Sequence, residues 1–75
     1  MKYLQKIITR GKYAGRTLNV VRIIDLRYLM RLYISTKSPA MVTAIKKTLE
    51  YEKTINPERY EMILKSVNED DTIYG

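Results

Sequence analysis

The sequence predicts an α+β domain in which a short N-terminal β-hairpin packs on about three helices. Two prolines, each preceded by a residue typical of helix N-caps, begin segments with helical periodicity. A third apolar segment precedes them, and the N-terminal segment combines β-branched residues with two glycines. A chain of 75 residues is sufficient for one small domain. We expect this domain to span residues 1–68 and residues 69–75 to form an acidic flexible tail.

The N-terminal segment predicts the hairpin. Residues 6–10 read KIITR and have no helical period. Gly11 and Gly15 follow between two extended stretches, and we expect Gly15 to have a positive φ. Residues 18–24 leave two interpretations open, because their β-branched content favours a strand while a short helix before Asp25 is the alternative.

The first predicted helix covers residues 25–34. Asp25 is its expected N-cap, where a carboxylate also suits the positive end of the helix. Its only other charged residues are Arg27 and Arg31, which lie one turn apart. The remaining positions are apolar or tyrosine, so we expect this helix to be the most buried.

Two further helices are predicted over residues 39–54 and 57–67. Their starts are marked by the pairs Ser38-Pro39 and Asn56-Pro57, which place a capping residue before a proline at the first helical position. Apolar residues recur at the helical period in both segments. The short connection between them predicts that the two helices pack as neighbours.

The composition excludes most catalytic constellations. The chain has no cysteine and no histidine, so it lacks thiolate ligands, disulfides and the commonest general base. Residues 11–17 do not form a phosphate loop, because Arg10 stands where its first glycine would be and Arg16 replaces its lysine. We therefore predict no enzymatic activity, no metal site and no cofactor.

Positive charge is concentrated in the first two thirds of the chain. Residues 1–49 contain eleven Lys and Arg but one acid, Asp25, whereas residues 50–75 contain three Lys and Arg against seven acids. A basic block with so little acid is typical of a surface that binds a polyanion. We expect phosphate contacts from the basic residues, and stacking on an unpaired base from the one tyrosine among them. The candidate nucleic-acid-binding residues are Lys6, Arg10, Lys12, Tyr13, Arg16, Arg22, Arg27 and Arg31, with Gly11 and Gly15 as structural turn residues.

Residues 11–18 read GKYAGRTL and are followed by Asp25 and by the pair Tyr28-Leu29. This pattern resembles a small domain that reads G-K-[YH]-x-G-[KR]-[TP]-[LI], followed by D-P-x-Y-[LI]-x-W. The domain occurs at the C-terminus of exonucleases resembling exodeoxyribonuclease X and in short stand-alone proteins, some of them from bacteriophages. The resemblance covers roughly residues 6–52.

The resemblance implies a hairpin-plus-helices module that accompanies nucleic-acid enzymes and contacts DNA. The acidic metal ligands of those nucleases lie in a separate domain, so no nuclease activity is implied for this chain. Three positions depart from the pattern: Arg10, Leu26 and Arg31 stand where the family has an aromatic residue, a proline and a tryptophan.

The expected function is that of a small, basic, non-enzymatic accessory protein that binds nucleic acid, by preference DNA, mainly through phosphates. The alternative is a phage-type protein–protein inhibitor or adaptor that docks its basic face on an acidic host protein. A homodimer is a further candidate assembly, because a chain this short has a thin core. No segment predicts a membrane span or a signal peptide, and we expect a cytoplasmic location, in the host cytoplasm if the protein is viral.

Overall fold

The computed structural model describes residues 2–74, with side chains up to Asn68. A short 3-10 helix, Lys2–Gln5, precedes a loop of residues 6–17. The rest of the described chain forms four α-helices: α1 (Leu18–Ile24), α2 (Leu26–Ser35), α3 (Pro39–Ile55) and α4 (Pro57–Tyr74).

The predicted α+β fold is wrong, because residues 2–74 contain no strand, sheet or β-hairpin. The chain does fold back on itself in the loop, with an isolated antiparallel bridge between Ile7 and Thr17. The Ile8 N–H donates to the Arg16 carbonyl at 2.9 Å, and the Leu18 N–H donates to the Lys6 carbonyl at 2.9 Å. A third bond, from the Gly15 N–H to the Ile8 carbonyl at 2.7 Å, closes the turn, so the pairing forms a closed loop instead of two strands.

The hairpin does not form, because residues 18–24, which the sequence left open between a strand and a short helix, form α1. Thr17 caps this helix, since its side-chain oxygen accepts the Val20 N–H at 3.3 Å. Leu18 and Val21, three residues apart, lie on one face of the helix and are fully buried. Residues 18–24 are thus helical, and burial on this face outweighs the strand propensity of their β-branched side chains.

The predicted N-caps of α2 and α3 are confirmed. Asp25 Oδ1 accepts the Tyr28 N–H at 3.1 Å, and Ser38 Oγ accepts the Met41 N–H at 3.3 Å. The third predicted helix also exists, but α4 continues to Tyr74 instead of ending at residue 67. The predicted acidic tail, residues 69–75, overlaps the last turns of α4, and its side chains lie outside those that the structure describes.

One apolar core joins the helices. α2 packs against α1, α3 and α4, but it is not the most buried helix, because Arg31 and residues 33–35 are exposed. The loop joins the core through Ile8, and α4 joins it through Val67. The core residues are Ile8, Leu18, Val21, Leu26, Leu29, Met30, Met41, Ala44, Ile45, Leu49 and Val67.

Candidate nucleic-acid interface

The loop of residues 6–17 presents four of the predicted basic residues. Arg10, Lys12 and Arg16 are exposed and Lys6 is half-buried. The loop turns at Gly11 and Gly15, which have φ of 87° and 88°. Positive φ at both positions suits glycine, which has no Cβ to clash with the backbone. The turn therefore directs basic side chains to solvent from a short stretch of backbone.

Tyr13 anchors this loop to α2. Its hydroxyl donates to Asp25 Oδ2 at 2.8 Å, and its ring meets the Tyr28 ring edge-on, with 4.9 Å between the centroids. Lys12 Nζ lies 5.3 Å from the Tyr13 ring centroid and 4.0 Å from Asp25 Oδ2. The hydrogen bond to Asp25, together with desolvation, raises the pKa of Tyr13 above its ordinary value of 10.0. These contacts give Tyr13, expected to stack on a base, a structural role in holding the loop.

Arg22 lies in a buried ion cluster instead of on the surface. Its Nη1 donates to Glu52 Oε1 at 2.6 Å, and its Nη2 and Nε donate to Asn19 Oδ1 at 2.7 and 3.2 Å. The ring of Tyr51 lies 5.1 Å from the guanidinium carbon. Since Arg22 is only 8% exposed and is paired with Glu52, it is not available to contact a phosphate.

Glu52 is the centre of this cluster. It is fully buried, and its second oxygen, Oε2, accepts from Arg59 Nη1 at 2.8 Å. Arg59 also donates to the backbone carbonyls of Arg22 and Ile23, so it joins α4 to the end of α1. Burial of Glu52 opposes its ionisation, but hydrogen bonds from Arg22, Arg59 and Asn56 outweigh burial and lower the pKa of the carboxyl group below 4.5.

Sequence reasoning missed Glu52 and Arg59. A signal for Glu52 was present, because it follows Ile45 by seven residues and Thr48 by four and so shares their buried helix face. An acid in phase with an apolar stripe indicates a buried partner of opposite charge. Arg59 gave no comparable signal.

The two predicted arginines of α2 are not among the loop residues. Arg27 is half-buried and Arg31 is exposed, and each already makes an interaction within the chain. By contrast, Lys6, Arg10, Arg16 and Lys37 make no ion pair with any residue whose side chain the structure describes. We call the set of Lys6, Arg10, Lys12, Arg16 and Lys37 the basic surface.

A groove lies between the loop and the α2–α3 connection. It has a volume of about 540 Å³ and is lined by Lys6, Ile7, Ile8, Thr9, Arg10, Leu32, Thr36, Lys37, Ser38 and Met41. Three lining residues are basic, three carry hydroxyl groups, and none of the described lining residues is acidic. We call it the basic groove. Lys37, which the sequence analysis did not select, enters the site because the α2–α3 connection folds beside the loop.

No family model matches the chain, and no curated protein or solved structure shows significant similarity to it. The function must therefore be argued from the basic surface and the basic groove. Within the described part of the chain, no helix is both long enough and apolar enough to cross a membrane.

Proposed function

We propose that the protein binds nucleic acid through the basic surface, mainly by contacts to phosphates and without a catalytic step. The observation that carries this proposal is the separation of the basic residues by the fold. Arg22 and Arg59 share the buried Glu52 as an ion-pair partner, whereas Arg10, Lys12, Arg16 and Lys37 are exposed and Lys6 is half-buried. Lys12 lies 4.0 Å from Asp25 Oδ2, but the exposed Arg10, Arg16 and Lys37 make no ion pair with a residue whose side chain the structure describes. Such cations are available to neutralise phosphates and release counterions.

The sequence pattern of residues 11–18 supports the same partner, because it resembles a module that accompanies nucleic-acid enzymes. DNA is the first nucleic acid to test for that reason. We place this role in the cytoplasm of the cell that makes the protein, or in the host cytoplasm if the protein is viral.

The test is the salt dependence of binding, measured by fluorescence anisotropy with a labelled DNA fragment. If the five cations of the basic surface contact four or five phosphates, log K should fall against log[salt] with a slope of about −3.5 to −4.5. A slope near zero, or no binding at low salt, would contradict the proposal and favour an adaptor that docks its basic face on an acidic protein.

Matched double variants separate the basic surface from net charge. Arg10→Gln with Arg16→Gln removes two charges from the loop, and Lys46→Gln with Lys47→Gln removes two from exposed positions on α3 outside the groove. The loop pair should weaken binding at least several-fold and make the slope shallower by about 2. The α3 pair should have a much smaller effect, and equal effects would refute the assignment of the basic surface. Thermal melts of both variants should match the parent, because exposed charges contribute little to folding.

A further inference from the structure

The basic groove combines cations with an apolar floor. Ile8 and Met41 line it from the core side but are only 2% and 9% exposed, so its accessible apolar surface comes mainly from Ile7, which is 54% exposed, and from the half-buried Leu32. Around this floor stand the basic side chains of Lys6, Arg10 and Lys37. Cations alone are enough to neutralise phosphates, and the apolar floor beside them can make a second kind of contact.

The hydroxyl groups of the groove are partly engaged by the backbone. Ser38 Oγ accepts the Met41 N–H at 3.3 Å, and Thr36 Oγ1 accepts the Ser38 N–H at 3.4 Å. Each hydroxyl keeps its own proton as a donor. A ligand in the groove therefore meets cations and hydroxyl donors, which suit phosphate oxygens, next to aliphatic side chains, which suit a flat apolar surface.

The volume of the groove suits a ligand larger than a phosphate group. Its 540 Å³, part of which is open to solvent, leaves room for a base beside a phosphate group. A base in a duplex is stacked and paired, so its faces cannot reach such a floor, whereas an unpaired base can be turned out of the strand. The face of an unpaired base can therefore contact such a floor, whereas a base within a duplex cannot.

We infer that the basic groove receives unpaired nucleic acid, with a base against Ile7 and the aliphatic floor and the flanking phosphates on Lys6, Arg10 and Lys37. This inference rests on the proposed function and specifies its substrate class as a single strand. The described residues that line the groove include no aromatic residue, so the base contact is with aliphatic side chains, which carry no hydrogen-bonding group to read a base edge.

The test compares a labelled oligothymidylate of about 12 nucleotides with a duplex of the same length at one moderate salt concentration. We expect the single strand to bind at least five-fold more tightly. Ile7→Ser removes an apolar side chain from the floor of the groove. It should weaken single-strand binding about five-fold while leaving duplex binding nearly unchanged. Ile34→Ser is the matched control, since Ile34 is 70% exposed on α2 and does not line the groove.

A second variant tests the groove without changing the loop, in case Ile7→Ser alters the conformation of the loop. Lys37→Gln lies in the α2–α3 connection and should weaken single-strand binding several-fold, more than Lys47→Gln on the exposed surface of α3. Equal affinity for the two nucleic acids, or tighter binding of the duplex, would overturn the groove inference and leave the proposed function intact. Equal effects of Ile7→Ser and Ile34→Ser, or of Lys37→Gln and Lys47→Gln, would also overturn it. Absence of binding to both probes would overturn the proposed function itself.

Discussion

The buried ion cluster predicts that the fold depends strongly on Glu52. Glu52→Gln keeps the shape of the side chain but removes the carboxylate that bridges Arg22 and Arg59, whose Nη1 atoms lie 2.6 and 2.8 Å from its oxygens. Removing one partner of a buried ion pair costs about 3–5 kcal/mol, because the remaining charge stays buried without compensation. A chain of 75 residues has a free energy of unfolding of about 4–11 kcal/mol. The variant should therefore lose a large share of its stability.

Urea unfolding followed by far-ultraviolet circular dichroism measures this loss. With an m-value of about 1 kcal/mol/M, a loss of 3 kcal/mol lowers the unfolding midpoint by about 3 M. Glu50→Gln is the control, because Glu50 lies on the same helix but is exposed, and its replacement should cost less than about 0.5 kcal/mol. High salt should not abolish the difference, because buried charges are poorly screened.

A double variant tests whether the loss arises from uncompensated charge. Arg22→Met combined with Glu52→Leu removes both buried charges and replaces them with apolar side chains of similar length. Such replacements are often neutral, so the double variant should recover most of the stability that Glu52→Leu alone loses. If Glu52→Gln loses less than about 1 kcal/mol, or if the two single losses simply add, the electrostatic account of the cluster is refuted.

The buried ion cluster also makes the stability of the fold depend on pH in the acid range. The pKa of Glu52 in the folded protein is lower than its ordinary value of 4.5, so the unfolded chain takes up a proton first as the pH falls. The stabilisation is therefore present above about pH 4.5 and is lost as the pH falls through the lower folded pKa. Acid unfolding of the parent and Glu52→Gln should show this directly, since the parent should lose its advantage over the variant in that range.

The two loop glycines are expected to differ in their tolerance of alanine. A Cβ at Gly11 would lie 2.7 Å from Tyr28 Oη, whereas a Cβ at Gly15 meets nothing within 4 Å. Thermal melts should show that Gly15→Ala costs about 1–2 kcal/mol for its positive φ, and that Gly11→Ala costs more. Asp25→Asn should bring the pKa of Tyr13 back toward 10.0, because the amide can donate to the phenolate. The pKa of Tyr13 is obtained from phenolate absorbance as the difference between titrations with and without Tyr13→Phe, measured once in the parent and once in Asp25→Asn. An unchanged pKa of Tyr13 in Asp25→Asn would contradict the Tyr13–Asp25 hydrogen bond.

Local signals predict the helices well, because caps act within one turn. Ser38 and Asp25 could be recognised as N-caps from their immediate neighbours, and both cap in the structure. Thr17 shows the limit of such signals, since a β-branched residue before an apolar run suits either a strand or a capped helix. The helix forms because it buries the apolar face of α1, and this burial depends on residues that are distant in the sequence.

The candidate site depends still more on distant residues. Arg22 could not be distinguished from an exposed arginine in the sequence, because its partner Glu52 follows thirty residues later. Lys37 joins Lys6 and Arg10 in one groove only because the α2–α3 connection lies beside the N-terminal loop. Charge counting therefore selects the basic part of the chain but cannot separate buried, ion-paired cations from those that face solvent.

Tyr13 offers a test that separates its two interpretations, anchor and stacking platform. As an anchor, it holds the basic loop through its hydroxyl bond to Asp25, so that Arg10 and Arg16 are presented in a fixed arrangement that costs little entropy on binding. Tyr13→Phe removes this hydrogen bond but keeps the ring and the net charge. The anchor interpretation predicts binding weaker by a few-fold and a less ordered loop in hydrogen exchange. The stacking interpretation predicts unchanged binding, because phenylalanine stacks on bases as tyrosine does. Anisotropy titrations of the parent and of Tyr13→Phe decide between them, and equal affinities would show that the cations do not need the loop to be held by Asp25.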